Sequence, residues 1–214
     1  LGIVVDPDVD RLAIIDENGE MIGEEYTLVS IADYVLQHKK GACVSNLSSS
    51  RALSDVAKKY DCEYHASAVG EVNVVNKMKE VNAVIGGEGN GGVINADLHP
   101  GRDALVGTAM ILQLLAERDI KASEYRDSLP DYEMSKQKIE LNKLGMDADD
   151  LLKKVTDIYT DQNPNTVDGV KLDFDEGWVH FRKSNTEPII RVYSEAKTKE
   201  EAEELAEKIM SVIK

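Results

Sequence analysis

The segment Asp6-Pro7-Asp8-Val9-Asp10-Arg11 sets three carboxylates at alternate positions between two apolar runs, Leu1 to Val5 and Leu12 to Ile15. Like charges this close repel, which raises the free energy of a fold unless a cation sits among them. Hard oxygen ligands suit Mg²⁺ or Ca²⁺ rather than zinc. Arg11 adds nothing to a pure cation cage, and its presence implies that an anion such as a phosphate meets the metal there. A solvated acidic turn between strands is the plain alternative. An EF-hand is excluded. Asp6, Asp8, Asp10 and Glu17 fall at its first, third, fifth and twelfth places, but the sixth requires glycine and holds Arg11. Leu12 to Ile15 also reads as a strand, where an EF-hand would run into its second helix.

Two later segments carry further polar chemistry. Gly86-Gly87-Glu88-Gly89-Asn90-Gly91-Gly92 follows a strand-like run. Its glycines let backbone approach a ligand closely, and Glu88 and Asn90 offer polar groups for sugar hydroxyls. A second strand follows rather than a helix, so the dinucleotide-binding pattern does not fit. A glycine-rich hairpin with a bulge is the alternative. Arg182-Lys183-Ser184-Asn185-Thr186-Glu187-Pro188-Ile189-Ile190-Arg191 lies between two strand-like runs. Ser184, Asn185 and Thr186 bring short side chains and accessible N–H groups that can cradle an oxyanion. Arg182 and Arg191 flank them with bidentate donors. Here the alternative is a polar turn edged by surface arginines.

The chain has 214 residues, 30% charged and 42% apolar, enough for one large domain or two small ones. Its formal net charge of −15 argues against a nucleic-acid backbone or an anionic membrane as the main partner. An anionic substrate then requires locally concentrated arginine. No apolar run reaches membrane-spanning length. Cys43 and Cys62 form no metal or redox motif and are expected as buried, reduced thiols. The chain starts at Leu1, directly in a strand and without a methionine, and is read as a piece of a longer polypeptide.

The elements that must position these residues follow from periodicity. Glu17-Asn18-Gly19-Glu20 reads as a tight turn. Helical spacing over Tyr26 to Gln37, Ser50 to Tyr60 and Glu71 to Glu80 alternates with strand-like runs at Gly41 to Asn46, Glu63 to Ala66 and Ala83 to Ile85. A longer helix is expected from near Asp103, with Leu105, Ala109, Leu112 and Leu115 on one face. This implies an α/β layer domain with a mixed, largely parallel sheet over residues 21–125. Strands at Tyr132 to Leu141, Val170 to Phe174, Trp178 to Arg182 and Ile189 to Ser194 follow, with a short helix at Asp147 to Thr156. A final amphipathic helix, Lys199 to Ile213, turns Ala202, Leu205, Ala206, Ile209 and Ile213 inward. Residues 130–214 are therefore expected as a small α+β domain with an antiparallel sheet, and residues 1–20 as the tail of a preceding domain.

Together the three polar segments resemble the α-D-phosphohexomutase family, which includes phosphomannomutase/phosphoglucomutase and phosphoglucosamine mutase. Asp6 to Arg11 resembles its Asp-x-Asp-x-Asp-Arg magnesium loop, Gly87 to Gly92 its sugar-binding loop, and Arg182 to Arg191 its C-terminal phosphate-binding loop. Val69-Gly70-Glu71 and Gly101-Arg102-Asp103 fall where that family has active-site turns. The resemblance implies a cytoplasmic isomerase of carbohydrate metabolism. It would move a phosphoryl group between the 1- and 6-positions of a hexose phosphate through a phosphoserine and a bisphosphorylated sugar. It further implies that Asp6, Asp8 and Asp10 hold Mg²⁺ and that Arg11 positions the phosphoserine or the attacking hydroxyl. Glu88 and Asn90 would bind the sugar, and Arg182, Ser184, Asn185, Thr186 and Arg191 would clamp the non-transferring phosphate. The sequence departs from the family at several points. No segment resembles the Thr-Ala-Ser-His-Asn-Pro-like loop of the family's catalytic serine, and Ser48-Ser49-Ser50 lacks the His-Asn that would follow. Asn90 and Gly92 stand where serine and histidine are usual, and Ser67-Ala68-Val69 where a basic residue often precedes the glycine; His65, the nearest titratable group, is read as a core or surface histidine. The chain by itself is therefore expected to be inactive, with N-terminal domains of the same polypeptide as its partner. The alternatives are a non-catalytic phosphosugar-binding piece and a Mg²⁺-dependent phosphatase that attacks through Asp6 or Asp8, a reading that leaves the Ser-Asn-Thr-Glu-Pro loop without a role.

Overall fold

An antiparallel ribbon opens the chain, β1 (Gly2–Val5) against β2 (Leu12–Ile15), with Val5 opposite Leu12 and the acidic segment as its connecting loop. Leu12 and Ile14 point inward and are buried, as period-two alternation requires. The computed structural model describes residues 1–184 and 186–213. It divides into two units, Leu1–Asp131 and Tyr132–Lys214.

The rest of the first unit alternates helices and strands: α1 (Glu24–His38), β3 (Cys43–Asn46), α2 (Ala52–Lys59), β4 (Tyr64–Ser67), α3 (Glu71–Val81), β5 (Ile85–Glu88), β6 (Gly92–Asn95), α4 (Ala104–Arg118) and α5 (Ala122–Asp127). The sheet runs β4-β3-β5-β6, parallel except for the antiparallel β5–β6 pair, so the expected mixed, largely parallel α/β layer is present. Helix α1 is buried almost all round, from Tyr26 to Asp33 and again at Val35 and Leu36, and packs against α2, α4 and β5. A helix buried on nearly every side sits in the core, and its polar groups there need partners. Asp33 is the one carboxylate α1 buries there, and it is met by Lys59 Nζ and Arg118 Nη1 at 2.8 Å, Tyr60 OH at 2.9 Å and Tyr125 OH at 3.0 Å. Burial pushes Asp33 up, but the Lys59 contact, Arg118 and Tyr60 outweigh it and hold it below the usual carboxylate range.

Two expectations for this unit are corrected. Strand β5 begins at Ile85 and runs into the glycine cluster, so Gly86, Gly87 and Glu88 are strand rather than loop. Glycine has little strand preference of its own; pairing with β3 on one side and β6 on the other holds the segment extended. Helix α4 buries Ala104, Gly107, Ile111 and Leu114, leaving Leu105 67% and Leu112 47% exposed. The small-residue stripe wins because it permits close approach: a Cβ on Gly107 would lie 3.1 Å from Leu12 Cδ2 and 3.2 Å from Ile31 Cδ1. Cys43 is buried, its thiol pushed up to about 12 by burial, whereas Cys62 is only half-buried; both are free.

In the second unit, β7 (Glu133–Glu140), α6 (Leu141–Leu144), α7 (Ala148–Ile158), β8 (Val170–Asp173), β9 (Trp178–Lys183), β10 (Ile189–Ala196) and α8 (Lys199–Ile213) build an antiparallel sheet in the order β7-β10-β9-β8 with helices packed on it. Asp147 caps α7, accepting from the N–H groups of Asp149 and Asp150. Ala202, Leu205, Ala206, Ile209 and Ile213 of α8 are all buried, on the face their spacing indicates, against a core that includes Leu172, Val179, Phe181, Ile190 and Val192. The antiparallel α+β architecture agrees with expectation. Among the described residues, no helix is long and apolar enough to cross a membrane.

Candidate functional site

In the acidic loop, Asp6 Oδ1 accepts the backbone N–H groups of Asp10 and Arg11, both at 3.1 Å, which folds the loop back on its first residue. Val9 has φ +58°, a strained value for a β-branched residue and the kind of strain that gathers at ligand sites. One oxygen from each of Asp6, Asp8 and Asp10 lies within 4.8 Å of the others. Burial pushes Asp6 up, but the N–H of Arg11 and contacts with Asp10 outweigh it and leave Asp6 below the usual range. Burial and the Asp6 carboxylate raise Asp10, against the pull of Arg102. Asp10 Oδ1 is buried without a hydrogen-bond partner among the described residues, with Arg11 Nε 4.0 Å away. An all-oxygen donor set with one orphaned buried carboxylate oxygen fits a hard divalent cation, so the loop is a possible site for one. Arg11 itself is half exposed and reaches Asp6 and Asp10 only at 4.0 Å.

The glycine-rich strand lies directly against this loop. Leu12 N–H donates to Gly91 O at 3.0 Å, and Arg11 bridges Gly92. Gly91 has φ +85°, and a Cβ there would stand 2.5 Å from Leu12 O, so only glycine allows this approach. Glu88, 5% exposed, accepts from Asn46 Nδ2 at 2.9 Å and Gly70 N–H at 3.0 Å on one oxygen, and from Arg102 Nη1 at 3.3 Å on the other. Arg102 Nη2 also meets Asp10 Oδ2, which ties the acidic loop to the glycine-rich strand. Half-buried Asn90 closes its own turn, its Oδ1 accepting from Gly92 N–H at 3.2 Å. The serine run backs the same segment, since Ser49 Oγ accepts from Gly89 N–H at 3.1 Å.

In the second unit Arg182 and Arg191 are directly opposite on β9 and β10. Like charges so placed repel unless anions intervene. Asp168 Oδ2 lies 3.0 Å from Arg182 Nε, and Glu187 Oε2 3.8 Å from Arg191 Nη2. Between them Ser184 N–H donates to Ile189 O at 3.1 Å, and exposed Thr186 presents its N–H 3.5 Å from Ser184 Oγ. Asn185 lies outside the described residues.

Comparison with known proteins then decides the family. Residues 23–132 match the family model described as phosphoglucomutase/phosphomannomutase, alpha/beta/alpha domain III, and residues 136–212 match the phosphoglucomutase/phosphomannomutase C-terminal domain. The chain belongs to the phosphoglucomutase/phosphomannomutase family. A phosphoglucomutase/phosphomannomutase of Thermococcus kodakarensis is 39% identical over 209 residues, covering 96% of this chain and 45% of that protein. A phosphoglucosamine/phosphogalactosamine mutase of Sulfurisphaera tokodaii is 33% identical, covering 100% of this chain and 48% of the relative. The chain thus spans about half the length of the curated relatives it matches. Among solved structures, a phosphoglucomutase/phosphomannomutase family protein of Burkholderia thailandensis has the same fold, with a TM-score of 0.83 at 23% identity over 99% of this chain and 46% of that one. N-acetylphosphoglucosamine mutase of Aspergillus fumigatus, solved with GlcNAc-6P and magnesium, has a TM-score of 0.69 at 15% identity over 99% of this chain and 52% of that one.

For this member of the phosphoglucomutase/phosphomannomutase family, the structure brings Asp6, Asp8, Asp10, Arg11, Glu88 and Asn90 into one neighbourhood of the first unit, and in the second sets Ser184 and Thr186 in the β9–β10 connection with Arg182 and Arg191 on the strands that flank it. The sequence puts Glu71 and Arg102 in segments that fall where the family has active-site turns but gives neither a role of its own, and it gives none to Asn46. The signal for Arg102 was available, a basic residue in the Gly101-Arg102-Asp103 turn at the N-terminus of α4, but nothing in the spacing indicates which carboxylates it reaches. His65, on the edge strand β4, has a ring nitrogen 3.1 Å from Glu63 just before that strand.

Proposed function

We propose that this chain supplies the metal-, sugar- and phosphate-binding groups of a phosphohexomutase that moves a phosphoryl group between the 1- and 6-positions of a hexose or hexosamine phosphate. Phosphomannomutase and phosphoglucosamine mutase chemistry are both within this class, as the named activities of the two relatives suggest. The observation that carries the reading is the continuity of charge from Asp10 through Arg102 to Glu88, which sets a cation site beside a group able to bind hydroxyls. Asp6, Asp8 and Asp10 would hold Mg²⁺, as the fungal relative's bound magnesium supports. Mg²⁺, when bound, neutralises charge on the transferring phosphoryl group. Arg11, loosely held by its own loop, is available to orient a phosphorylated serine or the attacking hydroxyl. Among the described residues Glu88 Oε2 accepts from Arg102 alone, which leaves a lone pair for a sugar hydroxyl. Arg182 and Arg191, with Ser184, Asn185 and Thr186, would take the non-transferring phosphate, displacing Asp168 and Glu187 from the guanidiniums. Positioning of this kind is most of what phosphoryl transfer requires.

The phosphoserine belongs, on this reading, to the other half of a full-length enzyme, and residues 1–20 are the tail of a domain from that half. The exposed Ile3, Val4 and Val5 of β1 support an additional covering element. The enzyme is read as cytoplasmic, where sugar phosphates are found. The test is to incubate the chain with glucose 1-phosphate, mannose 1-phosphate or glucosamine 1-phosphate, Mg²⁺ and trace bisphosphate, following the 6-phosphate and free phosphate. Binding without turnover is expected. Isomerisation by the chain alone would overturn the missing-serine reading, and phosphate release without isomerisation would favour an aspartyl phosphatase.

A further inference from the structure

Arg102 is shared by three carboxylates from three separate parts of the first unit. Besides Asp10 Oδ2 and Glu88 Oε2, its Nε lies 3.4 Å from Glu71 Oε2, and its backbone N–H donates to Glu71 Oε1 at 3.0 Å. The side chain is 12% exposed. Its stem crosses Gly92 so closely that a Cβ there would stand 2.4 Å from Arg102 Cδ, so glycine at 92 is what admits it. A buried guanidinium persists only where its partners compensate its lost hydration. Here the carboxylates in contact outnumber it, and Asp6 and Asp8 add to the excess. Asp10 is divided: Oδ2 is held by Arg102, while Oδ1 is buried without a hydrogen-bond partner among the described residues.

We propose that Arg102 is a positioning residue that divides the Asp10 carboxylate between the cation site and the Glu88 strand. It holds divalent-cation affinity down by neutralising part of the acidic cluster, and it fixes Glu88 toward the sugar. The inference rests on the acidic loop being a Mg²⁺ site and Glu88 a sugar ligand. Loss of the guanidinium leaves the carboxylates less neutralised, so a cation binds more tightly. The same loss leaves Glu88 held at Oε1 by Asn46 and Gly70 but no longer fixes its Oε2, so sugar binding weakens. A scaffold role alone would weaken both.

The test titrates the 214-residue chain with Mg²⁺ alone, then with glucose 1-phosphate in saturating Mg²⁺, for wild type, Arg102→Met and Arg102→Lys. Arg102→Met is expected to bind Mg²⁺ roughly fivefold more tightly, because a charge of the same sign has left its neighbourhood. It should bind glucose 1-phosphate several-fold more weakly. Arg102→Lys keeps the charge but loses the fork, so Mg²⁺ affinity stays near wild type while sugar phosphate weakens. Folded Arg102→Met with unchanged or weaker Mg²⁺ binding overturns the proposal. If Arg102→Met does not fold, Arg102→Lys decides: retained Mg²⁺ affinity with weakened sugar phosphate supports it, and both unchanged overturns it. Should wild type bind Mg²⁺ but no hexose phosphate, while Arg102→Met still tightens Mg²⁺, the mutase reading fails and the effect of Arg102 on the cation site stands.

Discussion

The two polar clusters are built on opposite charge balances. In the first unit Arg102 serves Asp10, Glu71 and Glu88, Arg11 reaches Asp6 and Asp10 at 4.0 Å, Asp8 lies beside them, and the surplus is negative. In the second, two guanidiniums face each other across β9 and β10, each with one carboxylate nearby, on a loop of short polar residues. On the proposed function, the first would take a cation among its aspartates, and the second an anion able to displace Asp168 and Glu187. Against a net charge of −15, the second cluster concentrates arginine locally, as an anionic ligand would require.

The largest effect that separates the clusters concerns the anion side and pH. Asp168 holds Arg182 through its carboxylate and His180 Nε2 through its backbone carbonyl, at 2.6 Å. Burial pushes His180 down from 6.5 to about 4. Between those values the unfolded chain takes up a proton that the folded chain refuses, so stability is full above 6.5 and falls as pH drops toward 4. The loss amounts to about 3 kcal/mol in the second unit. Urea unfolding at pH 7.0 and 4.5 measures it, and His180→Gln should shrink the difference.

Asp8→Asn comes next. Asp8 is the exposed member of the acidic triad, and among the described residues its carboxylate takes no backbone hydrogen bond of the loop, so its loss should weaken Mg²⁺ on the order of 100-fold without unfolding. Phosphate binding at the second unit should not change, and calorimetry with each ion separately would show whether the clusters are as independent as their charge balances imply. Arg191→Ala is the reciprocal experiment. Losing a charge-assisted donor should cost about 2 kcal/mol, roughly thirtyfold in inorganic phosphate affinity. Mg²⁺ affinity should stay at the wild-type value. The smallest effect is a control: Lys77→Ala removes a surface pair with Glu80 and should change stability by no more than about 0.5 kcal/mol in thermal melts.

Much of this architecture was legible in the sequence where a local period decides the outcome. The face of α8 follows from the spacing of Ala202, Leu205, Ala206, Ile209 and Ile213, and the loop between β1 and β2 from two apolar runs flanking the aspartates. What escaped depends on distant partners. Helix α4 is apolar on two faces, and the choice of the Gly107 stripe was made by Leu12 and Ile31, which spacing within α4 does not reveal. Strand β5 is extended by its neighbours rather than by its glycines. Arg102 reaches Asp10 across 92 positions of sequence, a contact that no motif encodes.

The central claim is that the aspartate loop is a divalent-cation site. Crystals of the chain soaked in Mn²⁺ and measured at the manganese edge test it most directly. The account predicts one anomalous peak coordinated by oxygens of Asp6, Asp8 and Asp10, with Arg102 still on Asp10 Oδ2. No peak there at saturating Mn²⁺, or a peak held by another set of carboxylates, would contradict it.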